Sequence, residues 1–509
     1  MKKAIAGLAI ILFLSFSLLL AINPVRAIPI SETVYINPDG SITPSDAPIT
    51  NVGCVYTFTE NITGSLIVEK NGIIVCGNGY FLIGDPSDPS IELNSTAVPC
   101  MQSPGDPVEI GVTLEDVCNV TIKGLGITDF VIGIGLADAC HNCIIGNSIS
   151  DCIAGIYLEC SNCNNIASNC ISPTVYGIYL EESSYNTINS NYVTCYFEDG
   201  ITLECCSNCN CLSCNQVEAS SEILAATVSA GLVESENVYG IFVDSSKYNG
   251  IFGNTISFNE AGVFFNCSCY NQLSYNTIEY NDVGVILEFS SYNKLSQNLI
   301  ECNQGTYTDT EAWIGEGIVL YLSCYNAIDC NTICNNYYGI ALVYSSGNCI
   351  TNNKIMDNYE SLEVVLDGGI ELYSSCHNYI YNNLIIGNGD EGVTLLCDST
   401  CNTIYWNKII CNTCGLDIDH SDYNIISTNL IMDNCVGVCI NCSSCNIFYH
   451  NSFIYNTCQV SISPGSKDYW DNGHPCGGNY WSCFTPCHPY VINECNIDWY
   501  PLTKPIITP

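Results

Sequence analysis

The sequence predicts an all-β chain wound into a parallel β-helix, a solenoid with coils of about 22 residues. Three observations predict it. Asparagines recur five apart in Asn249, Asn254 and Asn259, then in Asn271, Asn276 and Asn281, then in Asn293, Asn298 and Asn303, each set 22 residues after the last. Gly262 and Gly284 hold the same place in the first two units. Apolar residues stand two places after an asparagine, as Ile251, Ile256, Leu273 and Ile278 do, and the segment after each glycine alternates. A fixed period of this length marks stacked repeats. The apolar runs are too short for helices and fit strands of three to five residues.

Each unit therefore makes three short strands joined by tight bends, and stacking buries their apolar residues in one continuous core. Asparagine suits the bends, because it tolerates left-handed backbone and bonds to nearby backbone groups. Stacked, the amides also bond to one another along the rod. The glycine fits a bend that a side chain would obstruct. The units run from Asn119 to about Tyr455, with first asparagines from Asn119 and Asn142 through to Asn424 and Asn446. At the spacing of paired strands this part of the rod is roughly 65–70 Å long. A leucine-rich horseshoe has an overlapping period but a denser leucine pattern, and a propeller needs a longer period.

The ends differ from the ladder. Residues 1–27 read as a secretory signal peptide: Lys2 and Lys3 precede an apolar run ending at Ile22, and Val25-Arg26-Ala27 offers a cleavage site. Residues 28–117 read as an N-terminal cap and irregular first coils, with short strands around Tyr56, Ile67, Ile74 and Leu82. The β-helix occupies 118–463. Residues 464–509 form a cap rich in cysteine and aromatic residues.

Composition narrows the function. Arg26 is the one arginine, so the chain beyond the leader sets eight lysines against all 51 acidic residues, a net charge of −43. That field repels nucleic acid and acidic polymers. No membrane span is expected once the signal is cleaved. All 37 cysteines follow the leader, and in an exported protein they read first as disulfides between adjacent coils. A thiol stripe for Cu+ is the competing reading, densest at Cys205, Cys206, Cys209, Cys211 and Cys214.

Three insertions interrupt the ladder, at 216–234, 304–316 and 359–367. Equivalent insertions emerge on one edge of a solenoid and border its binding face. A glycosidase needs two carboxyl groups flanking one sugar bond. The candidates beside these loops are Asp309, Glu311, Glu316, Glu363, Asp367, Glu371, Asp390 and Glu391. The same carboxylates could hold Ca2+ or simply solvate a face. Trp313, Trp470, Tyr480 and Trp481 are candidates for stacking on sugar rings. Asn61, Asn94, Asn119, Asn266 and Asn441 lie in N-glycosylation motifs.

The repeat and its ending together resemble the exported right-handed parallel β-helix proteins of the NosD type. The motifs that carry the resemblance are the N-x-I-x-x-N-x-[IF] repeat and the closing Tyr469-Trp470-Asp471-Asn472-Gly473 and Gly477-Gly478-Asn479-Tyr480-Trp481-Ser482, an ending found with signal peptides in archaeal members. The resemblance covers about residues 110–485. It implies a right-handed coil and a place among carbohydrate-binding and sugar-hydrolysing β-helices. Its namesake takes part in supplying copper to a periplasmic nitrous-oxide reductase, and the cysteine load here departs from the family's usual pattern. The expectation is a secreted or cell-surface β-helix with a non-catalytic binding or structural role, polysaccharide being the first ligand. Its competitors are a glycoside hydrolase of neutral polysaccharide, a copper-handling accessory protein, and a self-assembling surface or filament protein. No cofactor is expected, and other cell-surface proteins are the remaining partners.

Overall fold

The computed structural model describes residues 33–84, 109–172, 174–194, 196–219, 238–305, 315–359, 368–485 and 488–506. The leader, Asn94, Asp309, Glu311, Trp313, Glu363, Asp367 and most of the three insertions lie outside these residues.

Each coil carries three strands, and each strand pairs in parallel with its counterpart one coil on. A three-residue strand follows the first asparagine, as in Gln272–Ser274 and Lys294–Ser296, where Leu273 lies beside Leu295. A second follows the next asparagine, as in Thr277–Glu279 and Leu299–Glu301. A six-residue strand spans the glycine, as in Val283–Glu288 and Glu316–Tyr321. The result is the right-handed parallel β-helix. Its axis is filled by one file of residues from each short strand and two from the six-residue strand. Leu273, Ile278, Val285 and Leu287 are fully buried with their counterparts in every coil.

The asparagines form three ladders. In the second, Asn276 donates its backbone N–H and its side-chain Nδ2–H to Asn298 Oδ1, both at 3.0 Å. Asn298 does the same to Asn331 Oδ1, at 2.9 Å each. Each amide also returns Nδ2–H to a carbonyl of the preceding coil, Asn298 to Leu273 O at 2.9 Å. Most of these buried amides are thus satisfied by the coils beside them, while Asn249 Nδ2–H has no partner. Residues just before the ladder bends, such as Tyr270 and Tyr275, take the left-handed conformation.

The insertions leave the register intact. Val285 pairs with Ile318 across the second, and Ile340 with Ile370 across the third. The first begins later than expected. Gln216–Glu218 is a regular strand between Tyr192–Thr194 and Thr255–Ser257, because Val217 supplies the buried residue the coil requires. All three interruptions fall at one corner of the coil, ahead of the six-residue strand.

At the N-terminal end, Ile49–Val52 folds back on Val55–Phe58 as an antiparallel hairpin, and Val55–Phe58 pairs in parallel with Ile74–Cys76. At the C-terminal end, Trp470 stacks on Phe448 with ring centres 4.3 Å apart, and Trp481 stacks on Phe453 at 4.4 Å. Their indole N–H groups donate to Asn496 Oδ1 and Asp498 Oδ2. Both tryptophans are 1% exposed. They plug the open end of the core, so the expectation that they form a sugar platform is corrected: neither ring has a free face.

The disulfide expectation is also corrected among the described residues, where every cysteine is a free thiol. The register sets Cys211 between Thr187 and Gly250, and Cys334 between Glu301 and Met356, so most cysteines have no sulfur above or below them. Burial and neighbouring carboxylates push thiols up, Cys160 and Cys334 to about 11. The thiolate is the reactive form, so such thiols oxidise slowly.

Candidate functional site

The six-residue strands make a groove. A flat strand alternates its faces, so residues three apart point opposite ways. Here they do not. Tyr176 and Tyr179 meet at 5.5 Å between ring centres, and Tyr239 and Phe242 at 5.3 Å. The glycine between them is the cause. A Cβ on Gly284 would lie 2.4 Å from Gly317 O and 2.7 Å from Ile300 Cγ2, so this position faces the packed core. The next residue, Val285, also faces the core. Two consecutive inward residues bend the strand, and the residue before the glycine converges on the residue two after it. Repeated in every coil, the bend becomes a concave channel along the rod, bordered by the corner at which the insertions leave.

Its two halves differ. In the N-terminal half aromatic residues fill the bend: Tyr157, Tyr176 and Tyr179 pack with Val131, Ile153 and Phe197 into a second buried cluster, and only farther along do Tyr239, Phe242 and Phe264 line it half-buried. The Tyr157 hydroxyl donates to Glu181 Oε2 at 2.5 Å, and the Tyr179 hydroxyl to Glu204 Oε2. Asp199, fully enclosed here, accepts from Thr202 Oγ1 at 2.9 Å, and burial holds its carboxyl well above the usual range.

The C-terminal half is acidic. Glu316 and Glu391 stand before their glycines, and Glu371 and Asp417 stand two after theirs. Register and bend set residues of adjacent coils diagonally across the channel. In this relation Cys414 Sγ lies 3.0 Å from Cys439 Sγ, and Tyr338 donates its hydroxyl to Glu371. Glu391 and Asp417 share it. Glu316 is 7% exposed, and its Oε2 has no hydrogen-bond partner. Burial, with the Glu371 charge adding to it, pushes Glu316 up to about 7. Burial pushes Asp417 to about 6, with Asp419 adding to it, and raises Glu371 against the opposing effect of the Tyr338 hydroxyl. Near neutrality this segment therefore holds protonated and ionised carboxyl groups in one channel.

Of the sequence candidates, Glu316, Glu371 and Glu391 come together here. Asp390 sits at the channel's edge, half-buried, with its carbonyl accepting from Cys414 N. Tyr480 is half-buried in the cap strand beside Ser452. Asp417, Tyr338 and Cys439 were not singled out. The signal that finds them is their offset from the repeat glycine, one before or two after. Asn266 and Asn441 occupy equivalent strand ends, where their amides donate to Asp244 and Asp419. Asn119 is exposed, and Asn61 Oδ1 accepts from Phe81 N.

Fold and channel define a parallel β-helix protein with a lined groove along its length. The chain belongs to the family described as periplasmic copper-binding protein (NosD), which matches residues 58–226, 199–313, 236–367 and 364–486. The protein is accordingly an exported one, secreted or extracellular. No curated protein sequence matches the chain. Solved structures with a similar winding include the periplasmic alginate epimerase AlgG, at 14% identity, covering 71% of this chain and 80% of that one, TM-score 0.31. The A-module of the Azotobacter vinelandii mannuronan C-5 epimerase AlgE4 is 14% identical, covering 80% and 91%, TM-score 0.37. A DFA-IIIase from Arthrobacter chlorophenolicus A6 is 12% identical, covering 73% and 83%, TM-score 0.35. Overlaps this loose say nothing about chemistry.

The family description raises the question of copper. Among the described residues no three His, Cys, Asp or Glu side chains converge on a position that could hold a metal ion. Cys205, Cys206 and Cys214 are exposed at turns, while Cys211 lies within a strand. The donor set does not fit a multi-ligand copper centre, and thiols meet in pairs instead, as Cys414 and Cys439 do. Among the described residues no helix is long and apolar enough to cross a membrane.

Proposed function

We propose that the protein binds a polysaccharide chain along the groove of its six-residue strands. The observation that carries this reading is the concave face of the bent strands, lined by the half-buried rings of Tyr239, Phe242 and Phe264 and beyond them by carboxyl groups. Aromatic faces cover the apolar faces of sugar rings, and carboxylates accept hydrogen bonds from their hydroxyls. The net charge of −43 disfavours acidic glycans, so a polymer without carboxylate or sulfate groups fits best.

Glycoside hydrolysis is a second reading, favoured by the acidic half. Such a reaction needs one carboxyl group that gives a proton and one that is ionised. Glu391 and Asp417 face each other across the channel one coil apart, and burial pushes Asp417 up to about 6, so this pair, and not Glu316 three coils away, is the candidate. Calorimetry of the exported chain with a panel of oligosaccharide hexamers tests binding. Phe264→Ala, which removes a half-buried ring from the channel wall, is expected to weaken it about tenfold, with the fold checked by circular dichroism. Undiminished binding by that variant would remove the groove from the account. Release of reducing sugar, lost in Asp417→Asn, would convert the reading from binding to hydrolysis.

A further inference from the structure

Within the acidic half one niche has a more specific chemistry. Glu316 and Tyr338 are neighbours along one wall of the groove, and Glu371 reaches in from the opposite wall one coil further on. Between them the lining residues are small, Ala341 and Gly368. Glu316 is more than nine-tenths buried with an unpartnered Oε2, although buried carboxylate oxygens ordinarily find a donor. Glu371 is half-buried and is already joined to the Tyr338 hydroxyl. No lysine occupies the lining positions of the six-residue strands on either side, from Val283–Glu288 to Val436–Asn441.

We infer that this niche binds a primary ammonium group, and that the polysaccharide taken by the groove is an amino-sugar polymer with free amines. The inference rests on the groove reading above and names its substrate class. A primary ammonium carries three N–H donors and no acceptor. The niche offers three acceptors, Glu316 Oε2, a Glu371 carboxylate oxygen and the Tyr338 oxygen, whose own hydrogen is given to Glu371. A bare divalent cation fits less well, since Ca2+ takes six to eight oxygen ligands and no three acidic groups converge here among the described residues. A neutral sugar hydroxyl could give one hydrogen bond to Glu316 and would leave two carboxyl groups facing each other without a counter-charge. The surrounding acidic field draws cationic chains toward the channel and repels sulfated or uronic ones.

The test is calorimetric titration of the full exported chain with three hexamers of matched linkage: β-1,4-glucosamine, β-1,4-N-acetylglucosamine and β-1,4-glucose. Hydrogen bonds to charged groups predict that the free-amine hexamer binds about tenfold or more tightly than the other two. Glu371→Gln and Glu316→Gln are each expected to remove most of that preference, bringing the free-amine hexamer to within about threefold of the other two. Glu69→Gln, at an exposed position outside the groove, is expected to leave the preference intact. Equal affinity for all three hexamers would overturn the ammonium site and leave the groove standing. A preference lost equally in Glu69→Gln would overturn the site in favour of bulk charge attraction. Binding of none of them would overturn both readings.

Discussion

Replacing Asn298 tests how the coils are held in register. Its side chain makes four hydrogen bonds in a position 2% exposed. It accepts two from Asn276 and donates one each to Leu273 O and Asn331 Oδ1. In Asn298→Ala the Asn276 backbone N–H loses its acceptor and Leu273 O loses a donor. Asn276 Nδ2 is spared, because it also reaches Ile251 O at 2.9 Å. Leu273 O keeps its strand partner, so one buried donor is left unsatisfied at about 1–3 kcal/mol, and the loss is about 2–4 kcal/mol with the cavity included. Asn298→Asp behaves differently. It keeps both bonds from Asn276, but an ionised oxygen now faces Leu273 O and Asn331 Oδ1. The chain contains this arrangement already, at Asp468, which accepts from Asn446 as an asparagine would and is pushed to about 6 chiefly by burial. Asn298→Asp should therefore lie near wild type at pH 4.5, where the acid is protonated and can donate, and lose several kcal/mol at pH 8. Denaturant unfolding followed by circular dichroism at the two pH values measures both variants. A loss under 1 kcal/mol in Asn298→Ala, or an Asn298→Asp variant indifferent to pH, would refute the account of the ladder.

Three further outcomes follow. Gly284→Ala places a Cβ 2.4 Å from the Gly317 carbonyl and is expected to cost about 3 kcal/mol in the same unfolding assay, whereas a neutral result would mean the strand bend does not depend on glycine. The wild type should melt at a lower temperature as pH rises from about 4 to 7. Asp468 and Asp498 rise from 3.8 to about 6 and Glu316 from 4.5 to about 7, so folding favours their protonated forms. That stability is whole below the unfolded values and lost as pH passes the folded ones, at most about 3 kcal/mol per group; a melting temperature rising over this window would contradict it. Titration with an aromatic disulfide at pH 8 should find the Cys160 and Cys334 thiols slow to react, and mild oxidation with oxidised glutathione should join Cys414 to Cys439 first. Peptide mapping that finds these two still reduced while others are paired would contradict the geometry.

The coil was legible in the sequence because the repeating unit is also the physical unit. One asparagine per bend and one glycine per long strand are each required by a neighbour one coil away, so their spacing reports the stacking directly. The caps were legible as interruptions but not in their workings. Trp470 and Trp481 look like surface aromatics in a loop rich in glycine and proline, and only the stacked Phe448 and Phe453 beneath them make them core. The cysteines misled for a related reason. Composition suggested crosslinks, but pairing depends on which residue lies one coil away, and Thr187, Glu301 and Met356 lie where a second sulfur would be needed. The carboxylates were half legible. Glu316, Glu371 and Glu391 were found by their nearness to insertions, while Asp417 was missed, because the glycine was treated as a bend and not as the pivot that turns flanking side chains toward each other.

The central claim is that the bent strands form the ligand channel. A crystal structure of the exported chain grown with the β-1,4-glucosamine hexamer tests it most directly. The account predicts a chain lying along the rod axis over Glu316, Tyr338, Glu371 and Asp417, with an ammonium nitrogen within hydrogen-bond reach of Glu316 Oε2. A hexamer seated elsewhere, for example in the pocket of about 430 Å3 between Phe484, Tyr490 and Trp499 at the C-terminal cap, with the channel empty, would contradict it.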